Sequence, residues 1–268
     1  MLKERILSAI IGVPVIIGFL LLGRYLFALL VAVIVVVSMD EFYSMLLLRE
    51  LRPNVVIGVL GGVVVIAGAL IGGIQGMVLA LSVIMVAALM WQTFTSGSII
   101  ETGLIIAGVA YVAFTLSHLV LLYDLRAGLF GVLLVFIGTW VSDISAYTFG
   151  RIFGKRKLAP TISANKTIEG SIAGLVAPAI LLGILFLLPW LPFVAEQGIF
   201  IPLLKGILMG LIIGLVAPIG DLVESRIKRE MRIKDTGVLI PGHGGFLDRF
   251  DSVIFTAVAG YYYWLLIT

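Results

Sequence analysis

The sequence predicts an all-α, polytopic integral membrane protein of about nine transmembrane helices with a cytoplasmic-face active site. Three observations carry this reading. Of 268 residues, 61% are hydrophobic and 12% charged, with a mean hydropathy of +1.22, so a soluble core could not hide the apolar surface. The apolar residues fall in runs close to the ~20 residues that cross a bilayer as helix. The charged residues, by contrast, are concentrated in a few short stretches, above all residues 221–251.

The N-terminal MLKER followed by ILSAIIGVPVIIGFLLLG has the regions of a signal peptide. No small-x-small cleavage site follows before the next apolar run, so it reads as a retained first span over 6–23. Further spans are expected near 25–47, 55–73, 75–92, 101–121, 127–150, 167–190, 201–225 and 250–267. The whole chain reads as a single integral membrane domain, with N-terminal helices of unassigned role over 1–100 and the chemistry-bearing helices over 127–268. Cysteine is absent, which excludes disulfides, thiolate metal sites and cysteine nucleophiles. Histidine occurs only at 118 and 243, so a multi-histidine metal site is excluded as well. Gly206, Gly210 and Gly214 recur every four residues along the eighth span. That spacing lets helices approach closely; it reads as packing within one subunit ahead of a dimer seam, with a homodimer left open.

The distribution of bases orients the chain. With the N-terminus in the cytoplasm, fifteen of the eighteen lysines and arginines fall on the cytoplasmic side, and only Arg24, Arg126 and Lys205 on the other. Asp40, Glu41 and Asp143 lie toward the cytoplasmic ends of their spans. An ionised group in hydrocarbon is costly, so each should face a wet or paired interior. For Asp40 and Glu41, pairing with an interfacial base and a functional role are both open. His118 reads as a packed histidine. The loop 151–166 carries five bases and no acid; it is either a topology determinant attracted to anionic headgroups or a clamp on substrate phosphates.

The stretch DLVESRIKREMRIKDTGVLIPGHGGFLDRFD, 221–251, holds six bases against six acids. If the preceding helix continues into it, Asp221, Glu224, Ser225 and Lys228 share one face. Pro241-Gly242 and Gly244-Gly245 around His243 should turn the chain before Asp248 and Asp251 open the last helix. Two carboxylate pairs joined by a glycine-rich turn suit a hard divalent cation with phosphates, since Mg²⁺ takes few protein carboxylates and fills its shell with substrate oxygens. Glycine N–H groups and basic side chains take the remaining phosphate charge.

This stretch resembles the C-terminal motif of the phosphatidate cytidylyltransferase (CDP-diacylglycerol synthase) family. The matching residues are Ser225, Lys228-Arg229, Lys234-Asp235, Pro241-Gly242-His243-Gly244-Gly245 and Asp248-Arg249-Phe250-Asp251. A second stretch, 138–170, is similar to another family region. There Ser163-Ala164-Asn165-Lys166-Thr167 and Ile168-Glu169-Gly170 stand where members often have Ser-Pro-x-Lys-Thr and Trp-Glu-Gly, so the proline and tryptophan are missing here. The resemblance implies transfer of CMP from CTP to phosphatidate at the inner membrane, with CTP, phosphatidate and membrane lipids as partners and no nucleic acid. It also implies Mg²⁺, more than one metal ion, with a monovalent cation left open.

On this reading Asp221, Asp248 and Asp251 hold metal, and Lys228, Arg229, Lys234 and Arg249 steady phosphates. Ser225 binds metal or phosphate, His243, Gly244 and Gly245 contact phosphate or the turn, and Asp143 and Lys166 complete the site. A phosphate monoester is already mostly dianionic at neutral pH, so no strong general base is required. The alternatives are a CTP-dependent lipid kinase, which releases CDP in place of pyrophosphate, a cytidylyltransferase acting on a different lipid phosphate, and a transporter or ion pathway built on the membrane acids.

Overall fold

A computed structural model of the chain describes residues 2–95, 97–188, 200–237 and 244–268. It is helical throughout except for one two-stranded hairpin. The helices are α1 (Leu2–Leu21), α2 (Arg24–Leu47), α3 (Val55–Thr93), α4 (Ile99–Gly108), α5 (Thr115–Tyr123), α6 (Gly128–Phe153), α7 (Ile168–Leu185), α8 (Phe200–Glu230) and α9 (Asp251–Ile267). Among the described residues, six helical stretches are long and apolar enough to cross a membrane: Arg24–Leu47, Val55–Thr93, Ile99–Tyr123, Gly128–Phe153, Ile168–Leu185 and Pro202–Glu230. The apolar lengths Ile11–Leu21 and Asp251–Ile267 are shorter. This is a membrane protein. The hairpin β1 (Lys157–Ala159) and β2 (Ser163–Thr167) was not expected from the sequence; Lys157 pairs with Thr167 and Ala159 with Ser163.

The chain forms two compact units, one of Met1–Leu121 with Lys228–Phe250, the other of Leu122–Ile227 with Asp251–Thr268.

In the first unit, α3 is a folded-back pair. Gly73 breaks it at φ 58°, ψ −146°, a conformation open only to a residue without Cβ. The two arms then pack so tightly that a Cβ at Gly68 would strike the backbone of Gly76, and one at Gly61 would strike Ile84. Two predicted spans, 55–73 and 75–92, are thus arms of one hairpin. Tyr43 of α2 is wedged where glycines leave room, against Gly58 and Gly108, and its buried hydroxyl donates to the Ile105 carbonyl at 2.9 Å.

Beyond that contact the helix widens into a π turn over Val109–Phe114. Side chains add donors to the carbonyls around this turn. Here Ser117 Oγ donates to Ala113 at 2.7 Å, His118 Nδ1 to Phe114 at 2.9 Å, and Thr115 Oγ1 to Val112 at 3.1 Å. His118, fully buried, is therefore structural, as its apolar surroundings suggest.

In the second unit, Gly206, Gly210 and Gly214 of α8 lie in turn against Leu182–Gly183, Pro178–Ala179 and Gly174–Leu175 of α7. The register runs antiparallel, and the small-residue stripe packs within the subunit. Helix α6 meets α7 through Gly150 and Gly170, and Ser145 Oγ donates to the Ala173 carbonyl at 3.3 Å. Thr139 Oγ1 and Thr256 Oγ1, 2.8 Å apart, join α6 to α9. Trp264 Nε1 donates to Arg126 O at 3.0 Å.

Gly73 has open space where a Cβ would sit, so Gly73→Ala tests backbone strain alone. It should cost about 1–3 kcal/mol, read as a lower Tm in detergent. Gly72→Ala, also unhindered but on ordinary helical backbone, should leave the Tm unchanged or raise it.

Candidate active site

The charged stretch 221–251 is divided between the two units, and its residues form two polar clusters. Helix α8 runs on to Glu230, five residues past the predicted end of its span, so it carries Asp221, Glu224, Ser225, Lys228 and Arg229 on one continuous helix as the spacing requires. The bases Lys228 and Arg229 fall in its last turn, where they complement the helix dipole.

The second unit's cluster gathers Asp143 of α6, Lys166 of β2, Asp221 and Ser225 of α8, and Asp251 and Ser252 of α9. Lys166 Nζ lies 2.8 Å from Asp221 Oδ2 and donates to the Pro218 carbonyl at 3.0 Å. Pro218 itself sits inside α8. Its ring removes one N–H from the ladder, and its carbonyl serves the lysine. Ser225 Oγ donates to Asp221 Oδ1 at 3.2 Å. Asp143 accepts from Ser252 Oγ at 3.4 Å and lies close enough to Asp251, Asp221 and Lys166 to feel their charges. Gly220 lets α8 approach the start of α9, since a Cβ there would strike Asp251 O and Ser252.

The local chain explains how Lys166 is placed. The β-hairpin presents it, and Thr167 caps α7, its Oγ1 accepting from Gly170 N at 3.2 Å. Glu169 folds back to accept the backbone N–H groups of Lys155 and Arg156, at 3.1 and 3.3 Å. The hairpin keeps its shape without the proline and tryptophan of the family pattern.

The first unit's cluster is more buried. Lys228 and Asp248, each 7% exposed, form an ion pair with Nζ 2.5 Å from Oδ1. The other oxygen, Oδ2, accepts from Gly245 N at 2.8 Å, Thr236 N at 3.0 Å and Thr236 Oγ1 at 3.1 Å. Burial is the largest influence on the Asp248 carboxyl and pushes its pKa up. The hydrogen bond and charge of Lys228, with the Thr236 and Gly245 amides, outweigh it and hold the group below the usual carboxylate range. Glu41 of α2 accepts from Phe246 N and Leu247 N, both at 2.8 Å, and from Thr236 Oγ1 at 3.0 Å.

Several expectations change at this point. Asp248 does not open the last helix: it sits in a 3₁₀ turn, Leu247–Arg249, and only Asp251 is in the first turn of α9. Glu41 has backbone amides and a hydroxyl as partners, where an interfacial base was one expectation. Gly244 takes a positive φ of 86°, as a glycine turn should, whereas the Gly245 N–H is directed at Asp248. Arg229, Lys234 and Arg249 are exposed, and Arg229 donates to the Ile233 carbonyl at 3.2 Å. Glu224 is fully buried. His243, with Pro241 and Gly242, lies outside the described residues. Thr236 and Ser252 were missed, because a lone hydroxyl beside Asp235 or Asp251 carries no spacing signal.

For Mg²⁺, the donor chemistry of Asp143, Asp221 and Asp251 fits: all offer hard carboxylate oxygens. Among the described residues no three acidic or histidine side chains already converge as a cation cage; Mg²⁺ takes much of its shell from water and substrate. Asp248 fits less well, because its oxygens accept four contacts from protein donors.

Fold and clusters together define a polytopic membrane protein that collects acids, bases and hydroxyls for charged chemistry. The cytidylyltransferase family model matches residues 3–267, and the chain belongs to that family of CTP-using nucleotidyltransferases. Curated relatives named phosphatidate cytidylyltransferase agree along nearly the full length. Those of Staphylococcus saprophyticus and Staphylococcus haemolyticus are 32% and 33% identical over 260 residues, and that of Staphylococcus epidermidis 34% over 263, each covering 95% of both chains.

The depressed Asp248 carboxyl gives a pH prediction. Its stabilising contribution is fully present above the unfolded pKa of ~3.9 and is lost as pH falls through the lower folded value. The Tm difference between the wild type and Asp248→Asn should therefore stay constant from pH 7 to about 5 and shrink only in stronger acid. A difference that vanished between pH 7 and 6 would contradict the pairing.

Proposed function

We propose that this enzyme transfers CMP from CTP to phosphatidate, giving CDP-diacylglycerol and pyrophosphate. The observation that carries the reading is the cluster of Asp143, Asp221 and Asp251 around Lys166, together with the names of the relatives. In the reaction a phosphate oxygen of the lipid bonds to the α-phosphorus of CTP, and the bond from that phosphorus to the bridging oxygen breaks. Pyrophosphate leaves with the electron pair. Both reactants are anions and the lipid phosphate is already a competent nucleophile, so the protein's task is to hold them in line and offset their charge.

Asp221 and Asp251, with Asp143, would hold Mg²⁺, which when bound supplies charge neutralisation of the phosphates. Lys166 fixes the Asp221 carboxylate and brings a positive charge to the cluster. Ser225 orients the same carboxylate from its other oxygen. Lys228, Arg229, Lys234 and Arg249 take phosphate charge, the last three from exposed positions. The positive-inside distribution supports an N-terminus and an active face in the cytoplasm of the inner membrane, where CTP is available. The acyl chains stay in the bilayer.

With purified protein, radiolabelled CTP and phosphatidate vesicles, Asp221→Asn and Lys166→Met should each lower incorporation into lipid by about 100-fold or more, with Tm close to wild type. Product mass analysis should show CDP-diacylglycerol and pyrophosphate. Release of CDP, or wild-type turnover by Asp221→Asn, would reject the proposal.

A further inference from the structure

Glu41 is one of the most deeply placed acids of the chain, 8% exposed on the apolar helix α2, and the reaction as described has no use for it. Its surroundings are built to receive it. A Cβ at Gly237 or Gly245 would stand 2.6 Å from one of its two carboxylate oxygens, so only glycine lets the backbone come this close at both positions. Oε1 accepts from Phe246 N; Oε2 accepts from Leu247 N and Thr236 Oγ1. These donors are some two hundred residues away in sequence, and Phe246 and Leu247 immediately precede Asp248. Thr236 bridges the two acids, its single hydroxyl lying 3.0 Å from Glu41 and 3.1 Å from Asp248.

We propose that Glu41 is a positioning residue for the transfer reaction: it fixes Thr236, Phe246 and Leu247 so that Lys228 and Asp248 are held in one geometry, without itself touching substrate. This rests on the reading that Lys228 takes phosphate charge. The carboxylate is needed in full. A glutamine in its place would present an NH₂ to one of the two backbone N–H donors, whichever way the amide is turned, so even the isosteric change breaks one anchor. Aspartate is one methylene too short to reach both.

The test compares Glu41→Gln, Lys228→Met and the double variant, as full-length protein in phosphatidate vesicles, with rates normalised to monodisperse folded enzyme. Glu41→Gln should lower kcat at least tenfold and leave KM for CTP within twofold. A purely architectural role would lower the yield of folded enzyme and leave kcat per folded molecule intact. Because Glu41 acts through the pair, the double variant should be no slower than Lys228→Met alone.

Multiplying losses in the double variant, or a wild-type kcat for Glu41→Gln beside an impaired Lys228→Met, would overturn the inference and leave the proposed reaction standing. Full activity in Lys228→Met would remove the assigned role of the lysine, and the inference with it. If Glu41→Gln does not fold, Thr236→Val and Thr236→Ser decide. The valine variant should lose kcat and the serine variant recover it, while wild-type kcat with valine would overturn the proposal.

Discussion

A carboxylate inside a membrane helix must find donors, because hydrocarbon offers none. Glu41 finds them in the backbone of a segment far along the chain, at Phe246 and Leu247. That one requirement ties the N-terminal helices to the most polar stretch of the sequence. Asp248, one residue beyond, is satisfied in the same way by Gly245, Thr236 and Lys228. A buried ion pair is stable only when its remaining lone pairs are also met, and Thr236 and Gly245 are placed to meet them. Through Glu41, the stretch 1–100, to which the sequence assigned no role, thus holds Thr236, Phe246 and Leu247 in place.

The two clusters solve the problem of buried charge differently. Around Glu41 and Asp248 the acceptors are filled by amides, a hydroxyl and an ammonium, which suits a part that must keep its shape. In the other cluster three acids, Asp143, Asp221 and Asp251, are gathered with the ammonium of Lys166. On the proposed function, these hard oxygen donors are where Mg²⁺ would be held.

Most of the helical layout was legible because composition and run length are large signals. The paired arms within Val55–Thr93 could be read from two adjacent apolar runs, although the break at Gly73 gave only a boundary. The stripe Gly206, Gly210, Gly214 announced close packing, and α7 is what it packs against. The face carrying Asp221, Ser225 and Lys228 followed from the period of the helix. What could not be read was pairing across long separations. Nothing local distinguishes Glu41 from Asp40, yet one is buried among amides and the other is exposed. Thr236 looked like part of a charged loop, and the hairpin carrying Lys166 lies in a stretch where basic residues outnumber strand formers. Each of these depends on a partner that spacing does not reveal.

The central claim is that carboxylates, and not solvent, hold the amides of Thr236, Gly245, Phe246 and Leu247. Hydrogen–deuterium exchange on the full-length protein in lipid nanodiscs measures this directly. The account predicts slow exchange at these four positions, well below that of the amides of the exposed residues Lys234 and Asp235. Exchange at Phe246 and Leu247 as fast as at those exposed sites would contradict it.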